Sequence, residues 1–303
     1  MIRRKTTRSR LRWVAALAGV VSTVLFRPCW ADLPMRDEVR NWIEQHRSAT
    51  TLDEDYGLVR NGDLGVLTAH FPPGLIDEFT FPELSMEIVK SEHYADHQSF
   101  EEATIQFAEQ ASIGAKGELQ NYTAGRPFSD PQLDAENPSV AGLMVAWNHI
   151  HRWQHRGYET DEIQFNFVMG SGTGSGELGV GFRGGGSISR TFVASYNRVY
   201  LNHVASLSAQ NYQVDIDDAA HLFWKERIQI LEPFDVKGTA FVIERSLAPH
   251  ENDQVNSYLP TERRVRRLSA KERADSFMGT NFSLDDVEGF SGRVLDFKWT
   301  YLG

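Results

Sequence analysis

The sequence contains 303 residues, with 31 basic and 41 acidic side chains and a net charge of −10 at neutral pH. This acidic balance argues against a protein that binds nucleic acid through a general basic surface. Hydrophobic residues make up 41% and charged residues 24% of the chain, as in an ordinary globular protein with a sizeable core.

The first 31 residues have the layout of a secretory signal peptide. Basic residues from Arg3 to Arg12 precede an apolar run at 13–26, and this run is shorter than a membrane-spanning helix requires. We expect cleavage after Ala31 and export to the periplasm; an uncleaved membrane anchor is the alternative interpretation. Cleavage would remove Cys29, the only cysteine, and seven basic residues, which leaves 24 basic and 41 acidic residues and a net charge of −17.

The region after the signal peptide predicts short helices joined by an extended arm. Apolar residues at helical spacing predict a helix at 36–47, and a capping box at Ser99 predicts a second helix that runs to about Ser112. Between them, glycine and proline recur through 50–82 too often for long regular elements, so we expect an extended arm there.

The clearest helix prediction lies near the middle of the chain. A short strand at 119–123 and a loop at 130–138 precede it. Asn137 is placed as the N-cap and Pro138 as the first helical residue, and the helix is expected to end near Gly157. Its apolar side carries Leu143, Met144, Trp147 and Ile150.

Beyond this helix the pattern changes to alternation with a period of two residues. Short turns separate the alternating segments, which predicts a large antiparallel sheet with one wet face and one apolar face. The glycine-rich run at 170–186 lacks the spacing of a phosphate-binding loop and is expected to be a hairpin tip. The seven predicted strands lie at 163–168, 187–201, 223–231, 239–247, 254–259, 263–268 and 293–302.

Three histidines on the central helix raise the question of a metal site. His151 and His155 have the spacing that places two imidazoles on one helical face, and Glu159 or Asp161 would supply a third ligand. The spacing matches no zinc signature, so we favour surface histidines for His149, His151 and His155.

Other candidate catalytic groups are weaker. The acidic cluster Asp215, Asp217 and Asp218, with His221 beyond it, lacks the glycine and glutamate of a calcium loop and is expected to be a solvated acidic loop. No nucleophile elbow of the Gly-x-Ser-x-Gly kind occurs in the sequence. We therefore predict neither enzymatic activity nor a cofactor.

Arg263, Arg264, Arg266 and Arg267 form the one positive cluster of this acidic chain. On a strand, Arg263 and Arg267 share a face with Val265, and Arg264 and Arg266 share the other face with Leu268. One interpretation is edge-strand protection and structural ion pairing. The other is contact with a head group or a partner protein.

The same region holds the most specific pattern in the sequence. It runs from Tyr258-Leu259-Pro260 through the arginine cluster to Asp275-Ser276-Phe277-Met278-Gly279-Thr280 and Asp285-Asp286, where Ser283 and Asp286 form a capping box. With Gly125-Arg126-Pro127-Phe128, Trp147-Asn148 and the segment 233–240, it resembles the 1329 family of domains of unknown function. That family is outer-membrane lipoprotein-sorting-like and is related to the lipoprotein carriers LolA and LolB.

The resemblance implies an α+β fold in which a LolA/LolB-like curved antiparallel sheet, a half-barrel, encloses an apolar cavity covered by helices, chiefly the helix at 138–156. We assign residues 1–31 to the signal peptide, 32–135 to an N-terminal extension and 136–303 to the half-barrel. Proteins of that family usually continue for more strands, so a chain that stops at Gly303 is interpreted either as a short member or as an incomplete reading frame. Implied partners are an exporter of the resistance-nodulation-division type and an outer-membrane protein.

Together these features predict a periplasmic carrier for a lipid, a lipoprotein acyl chain or another hydrophobic ligand, because apolar burial alone holds an acyl chain. A non-carrier adaptor that docks an exporter is the alternative, and a metal-dependent hydrolase that uses the histidines ranks third. The residues expected to contact a ligand or partner are Arg263, Arg264, Arg266, Arg267, Trp147, Phe277 and Met278.

Overall fold

The computed structural model describes residues 36–46, 57–73, 84–90, 92, 94–169, 187–269, 273, 275–280 and 282–301. The predicted signal peptide and the glycine-rich run at 170–186 lie outside these residues, so both stay predictions. Across the described ranges, no helix combines the length and the apolar character that crossing a membrane requires.

The N-terminal extension begins with helix α1 (Arg36–His46), as the helical spacing predicts. Strand β1 (Leu58–Arg60) pairs antiparallel with β2 (Ser85–Glu87), and a 3-10 helix, Asn61–Leu67, follows β1 directly. The described part of the predicted extended arm therefore contains short regular elements.

Helix α2 (Gln98–Gln106) starts and ends earlier than the capping pattern predicts. Its N-cap is His97, whose imidazole accepts a hydrogen bond from the Ser99 backbone at 3.2 Å, so the assignment of Ser99 as the cap is wrong. The helix stops well before Ser112, since Glu109 takes a left-handed backbone conformation with φ 64°.

Two further predictions before the central helix need correction. The strand predicted at 119–123 is shorter, because β4 (Leu119–Gln120) pairs only with β3 (Ser112–Ile113). The segment predicted as a loop contains helix α3 (Asp130–Ala135). Ser129 and Gln132 form a reciprocal capping box at its N-terminus.

Helix α4 (Pro138–Ile150) confirms the cap prediction, because the Asn137 side chain accepts hydrogen bonds from the next turn. It ends several residues before Gly157, so His155 does not share a helical face with His151. The buried residues of α4 pack in a separate cluster with Phe128, Leu133 and Val294.

The main body is a curved, unclosed, six-stranded antiparallel sheet. Each strand pairs with its neighbours in sequence, in the order β10-β9-β8-β7-β6-β5, which leaves β5 and β10 as edge strands. The strands are β5 (Gly157–Met169), β6 (Ser187–Tyr200), β7 (Leu222–Glu232), β8 (Ala240–Ser246), β9 (Gln254–Leu259) and β10 (Arg264–Leu268).

The seventh predicted strand, at 293–302, is wrong. Its described part contains a 3-10 helix, Val294–Asp296, followed by irregular chain that runs beside α4, where the Tyr301 amide donates to the Pro138 carbonyl at 2.8 Å. The alternating aromatics Phe297 and Trp299 both pack edge-on against Phe290, so local packing explains the pattern that resembles a strand.

One face of the sheet is covered by the segment 273–291, called here the covering segment. Phe277 and Leu284 of this segment pack into the main core with Ile228, Ile230 and Ile243 of the sheet. The prediction that the central helix covers the sheet is therefore wrong: among the described hydrophobic residues of α4, Ile150 at its end packs against this core, and the buried ones belong to the separate cluster.

Candidate functional site

A buried ionic network crosses the centre of the covered face of the sheet. Arg198 on β6 lies directly opposite Glu226 on β7, and its Nε and Nη2 donate to Glu226 Oε2 at 3.0 and 2.5 Å. Tyr196 also donates to this oxygen, at 2.7 Å. Both charged side chains are almost fully buried, at 2% and 0% exposure.

The network extends around the buried indole of Trp224. The guanidinium groups of Arg198 and Arg245 lie 4.5 and 4.8 Å from its ring centroid, within the range of cation–π attraction. Arg245 makes a two-pronged ion pair with Asp253, at 2.7 and 2.9 Å. Nη1 of Arg273 lies 3.0 Å from Asp253 as an ion pair without hydrogen-bond geometry.

These charges fasten the covering segment to the sheet. Arg273 pairs with Asp285 inside the segment at 3.0 Å, and Glu288 is held by Arg198 at 3.1 Å and by Arg152 at 2.7 Å. The Ser291 carbonyl accepts from Arg245 at 2.7 Å and from Arg273 at 3.1 Å. The packing of the covering segment against the sheet therefore depends on buried ion pairs as well as on apolar contacts.

Burial and pairing change the acidities in this network. Burial alone would lower the pKa of Arg198, but the Glu226 carboxylate and the neighbouring tyrosines hold this pKa above its ordinary value. Burial lowers the pKa of Arg245, and Asp253 opposes this effect. Burial and the Glu226 charge raise the pKa of Tyr196, which keeps this phenol a hydrogen-bond donor.

An apolar pocket of about 230 Å³ lies beside this network, between the covering segment and strands β8, β9 and β10. Phe277 and Met278 form one wall, and Phe241, Val255 and Leu268 belong to the sheet. The rings of Phe277 and Phe241 meet edge to face at 5.5 Å. Besides these five residues, the lining includes Leu284, Ser269, Arg273, Asp275 and Ser276.

The local backbone explains how Met278 is presented. Met278 and Gly279 take left-handed conformations, with φ 53° and 78°, in a short 3-10 turn after Phe277. Arg190 of β6 donates to the Met278 carbonyl at 3.1 Å, which ties this turn to the sheet.

The arginine cluster lies at the open edge of the sheet near this pocket. In the pairing of β10 with β9, Arg264 lies opposite Leu259, Arg266 opposite Ser257 and Leu268 opposite Val255. Because alternate residues share a face, Arg264 and Arg266 lie on the side of the pocket-lining Leu268 and Val255. Both arginines are exposed.

The other two arginines occupy different positions. Arg267 lies on the opposite face of β10 with Val265, which is 67% exposed, and Arg263 takes a left-handed turn conformation with φ 50°. Arg266 pairs with Glu262 at 2.5 Å, so part of the cluster makes the structural ion pair that one interpretation expects.

A model of a protein family of unknown function, DUF1329, matches residues 68–303. The chain belongs to the DUF1329 family. This finding confirms the resemblance that the sequence motifs indicate.

Two solved structures are similar to parts of this DUF1329 protein. One is a DUF1329 family protein from Desulfovibrio piger, with 18% identity over 55% of each chain and a TM-score of 0.36. The other is a putative outer membrane lipoprotein-sorting protein domain from Vibrio parahaemolyticus, with 19% identity, coverage of 53% of this chain and 52% of that chain, and a TM-score of 0.33. This chain thus spans about half of each of them. No curated protein matches it.

Trp147, the remaining predicted contact residue, lies in a second cavity of about 160 Å³. Its indole Nε1 donates to the Gly117 carbonyl at 2.9 Å, and Tyr122, His151 and His203 line the same cavity. The structure of this DUF1329 protein therefore brings Phe277 and Met278 together with the β10 edge and places Trp147 in a different cavity.

The prediction of surface histidines is wrong for His151, which is only 9% exposed. It is the C-cap of α4, and the centroid of its ring lies 4.3 Å from that of Tyr122. His149 is part-buried and meets the Phe290 carbonyl at 3.2 Å, whereas His155 is exposed. Within the described ranges, no three metal-ligating side chains cluster.

The acidic loop has the ion pairing expected of a solvated surface. Asp218 pairs with Lys225 of β7 at 2.6 Å, and Lys225 also meets Glu244 at 2.9 Å.

Sequence reasoning missed the buried network altogether. Its signal is a charged residue at an inward strand position: Glu226 falls between Trp224 and Ile228 in the period-two pattern, and Arg198 between Tyr196 and Tyr200. Two opposite charges at inward positions of adjacent predicted strands indicate a buried pair once the register is known.

Proposed function

We propose that this DUF1329 protein is an exported carrier of a lipid, a lipoprotein acyl chain or another hydrophobic molecule in the cell envelope, built as a LolA-like half-barrel. The observation that supports the proposal best is the apolar pocket at the open edge of the curved sheet, lined by Phe241, Phe277 and Met278. The lipoprotein-sorting description of the Vibrio parahaemolyticus domain is the reason to consider acyl chains first.

The size of the pocket defines what it can hold. A volume of about 230 Å³ lies below the roughly 300–1,000 Å³ of typical small-molecule pockets, so the pocket accommodates the end of an acyl chain. Each methylene of a ligand buried there contributes about 0.8 kcal/mol.

The arginines at the rim suit the polar end of such a molecule. Arg264 and Arg266 are exposed on the side of β10 that faces the pocket, so the guanidinium groups can meet a carboxylate or phosphate while the tail lies against Leu268 and Met278. The expected ligand is therefore amphiphilic and anionic.

Binding of a fluorescent long-chain fatty acid to the purified protein tests the proposal. Met278→Glu places a carboxylate in the pocket and should weaken binding at least about tenfold, because an unpaired buried charge is costly. Ile105→Glu on α2 is the matched control, since Ile105 is 78% exposed and outside the pocket lining. No binding by the delipidated protein, or equal binding by both variants, would count against a carrier.

A second candidate function, a periplasmic adaptor without a cargo, draws support from the outer face of the β10 edge. Val265 and Tyr258 lie opposite each other there at 67% and 39% exposure, with Arg267 beside them. An unpaired edge strand with exposed apolar side chains suits strand addition by a partner, for which an exporter of the resistance-nodulation-division type or an outer-membrane protein is our candidate.

One double variant separates the two functions. If the arginines contact a head group, Arg264→Glu with Arg266→Glu should weaken the binding of a fatty acid more than the binding of a fatty alcohol of equal length. The adaptor predicts instead that any binding of the two probes is the same as in the unmodified protein, and that Val265→Asp, on the outer face of β10, abolishes capture of the envelope partner. Val265→Asp should leave fatty acid binding unchanged under the carrier proposal.

A further inference from the structure

The second cavity has a different chemistry from the pocket at the β10 edge. It has a volume of about 160 Å³ and lies where the end of α4, the start of β7 and the loop after β8 meet. Tyr122, Trp147 and Phe223 supply aromatic walls, and His151 and His203 add two imidazoles. Neither Phe277 nor Met278 lines it, so it is separate from the site of the proposed carrier function.

The rings form a closely packed aromatic box. Tyr122 lies 4.3 Å from His151 and 4.9 Å from His203 between ring centroids, and Phe223 lies 5.0 Å and 5.8 Å from the same two imidazoles. A flat ring fits such walls by offset or edge-on stacking. An apolar cavity of roughly 150 Å³ is known to hold one benzene molecule, so this volume suits a single six-membered ring.

The two imidazoles of the box each have a nitrogen without a hydrogen-bond partner among the described residues, whereas the Tyr122 hydroxyl donates to the Gly125 carbonyl at 2.8 Å. Nδ1 of His203 lies 2.8 Å from the Thr123 carbonyl, which only accepts, so Nδ1 carries the proton and Nε2 is left as an acceptor. No described residue hydrogen-bonds the imidazole of His151, although that side chain is more than nine-tenths buried. Burial lowers the pKa of both histidines and keeps both rings neutral.

The two arginines that line the cavity are paired, and the lining also contains the Glu251 carboxylate, so the cavity does not attract an anion strongly. Arg245 is matched by Asp253 at 2.7 Å, and Arg293 by Asp296 at 3.4 Å. A buried neutral acceptor gains most from a ligand that brings a neutral donor, such as a hydroxyl group.

We infer that this cavity binds a small, neutral, hydroxylated aromatic molecule of the phenol class. The ring of the ligand lies among Tyr122, Trp147 and Phe223, and its hydroxyl group donates to the unprotonated nitrogen of His151. This site is additional to the carrier site and does not depend on an acyl ligand.

Calorimetric titration of the purified protein with phenol tests the inference. We expect one phenol per chain at millimolar concentrations, with benzoate, its anionic counterpart, at least about tenfold weaker. His151→Phe keeps an aromatic ring and removes the hydrogen-bond acceptor, so the affinity for phenol should fall about fivefold. His221→Phe, at an exposed histidine outside the cavity, should leave the affinity unchanged.

A second variant keeps the test decisive if His151→Phe does not fold. Ala248 is an exposed residue that lines the cavity, so Ala248→Trp should obstruct the cavity and abolish phenol binding without touching the core. The inference is overturned if phenol fails to bind, if benzoate binds more tightly than phenol, or if a folded His151→Phe or the Ala248→Trp variant binds phenol as well as the unmodified protein.

Discussion

Replacing Glu226 by glutamine removes one charge from the buried network and preserves its shape. The Glu226 side chain is fully buried and accepts hydrogen bonds from Arg198 and Tyr196. In the variant, Arg198 stays charged at 2% exposure, and Glu288 at 3.1 Å is its remaining counter-ion. Loss of one partner of a buried pair costs about 3–5 kcal/mol, and since Glu288 remains we expect the lower end, about 3 kcal/mol.

Urea denaturation followed by tryptophan fluorescence measures this cost. For chains of this size the free energy of unfolding falls by about 3 kcal/mol per molar urea, so the midpoint of the urea transition should fall by about 1 M. Glu159→Gln is the matched control, because Glu159 is exposed and its one hydrogen bond from the described side chains comes from Asn197 at 3.3 Å. We expect that change to stay within about 0.5 kcal/mol.

Equal midpoints for Glu226→Gln and Glu159→Gln would refute the argument that the network stabilises the fold. The double variant Arg198→Met with Glu226→Leu gives a second check. It should be more stable than the sum of its two single changes predicts, because removing both charges leaves neither one buried alone. Additive effects would mean that the two side chains are not coupled.

Two further predictions concern other parts of the fold. Below about pH 6.5 the unfolded chain binds protons that the buried His151 does not, so stability is full above that pH and falls as the pH drops, by up to about 1.4 kcal/mol per pH unit. In His151→Phe, the free energy of unfolding measured by urea titration should therefore fall less steeply between about pH 7.5 and about pH 5.5. An unchanged slope would contradict the lowered pKa of His151. Gly125 has φ +85° and its added Cβ would lie 2.4 Å from the Thr104 amide nitrogen, so Gly125→Ala should cost about 3 kcal/mol in a thermal melt. Gly65→Ala, with nothing within 4 Å, is its control, and similar melting temperatures for the two variants would argue against this close contact.

The elements that the sequence predicts correctly have signals close together in the chain. Helix α4 is predicted because Asn137 and Pro138 stand directly before its apolar run, and the cap forms as expected. Strands β6 to β10 are predicted because inward and outward residues alternate within each strand. The predictions fail where distant packing decides, as at 293–301, where Trp299 alternates like a strand residue but packs against Phe290.

The candidate site shows the same division. Phe277 and Met278 lie in one motif and do share a pocket, whereas Trp147 lies in another cavity. The ion pairs of Arg198 and Arg273 escaped prediction because their partners are distant in sequence, and their approach depends on strand register and on the course of the covering segment.

The most direct test of the carrier proposal is mass spectrometry of what copurifies with the protein. An organic extract of the unmodified protein should contain an acyl-bearing amphiphile in near-stoichiometric amount, and Met278→Glu should retain far less of it than Ile105→Glu does. The proposal is contradicted if the unmodified protein carries no such molecule and, after delipidation, takes up no fatty acid probe.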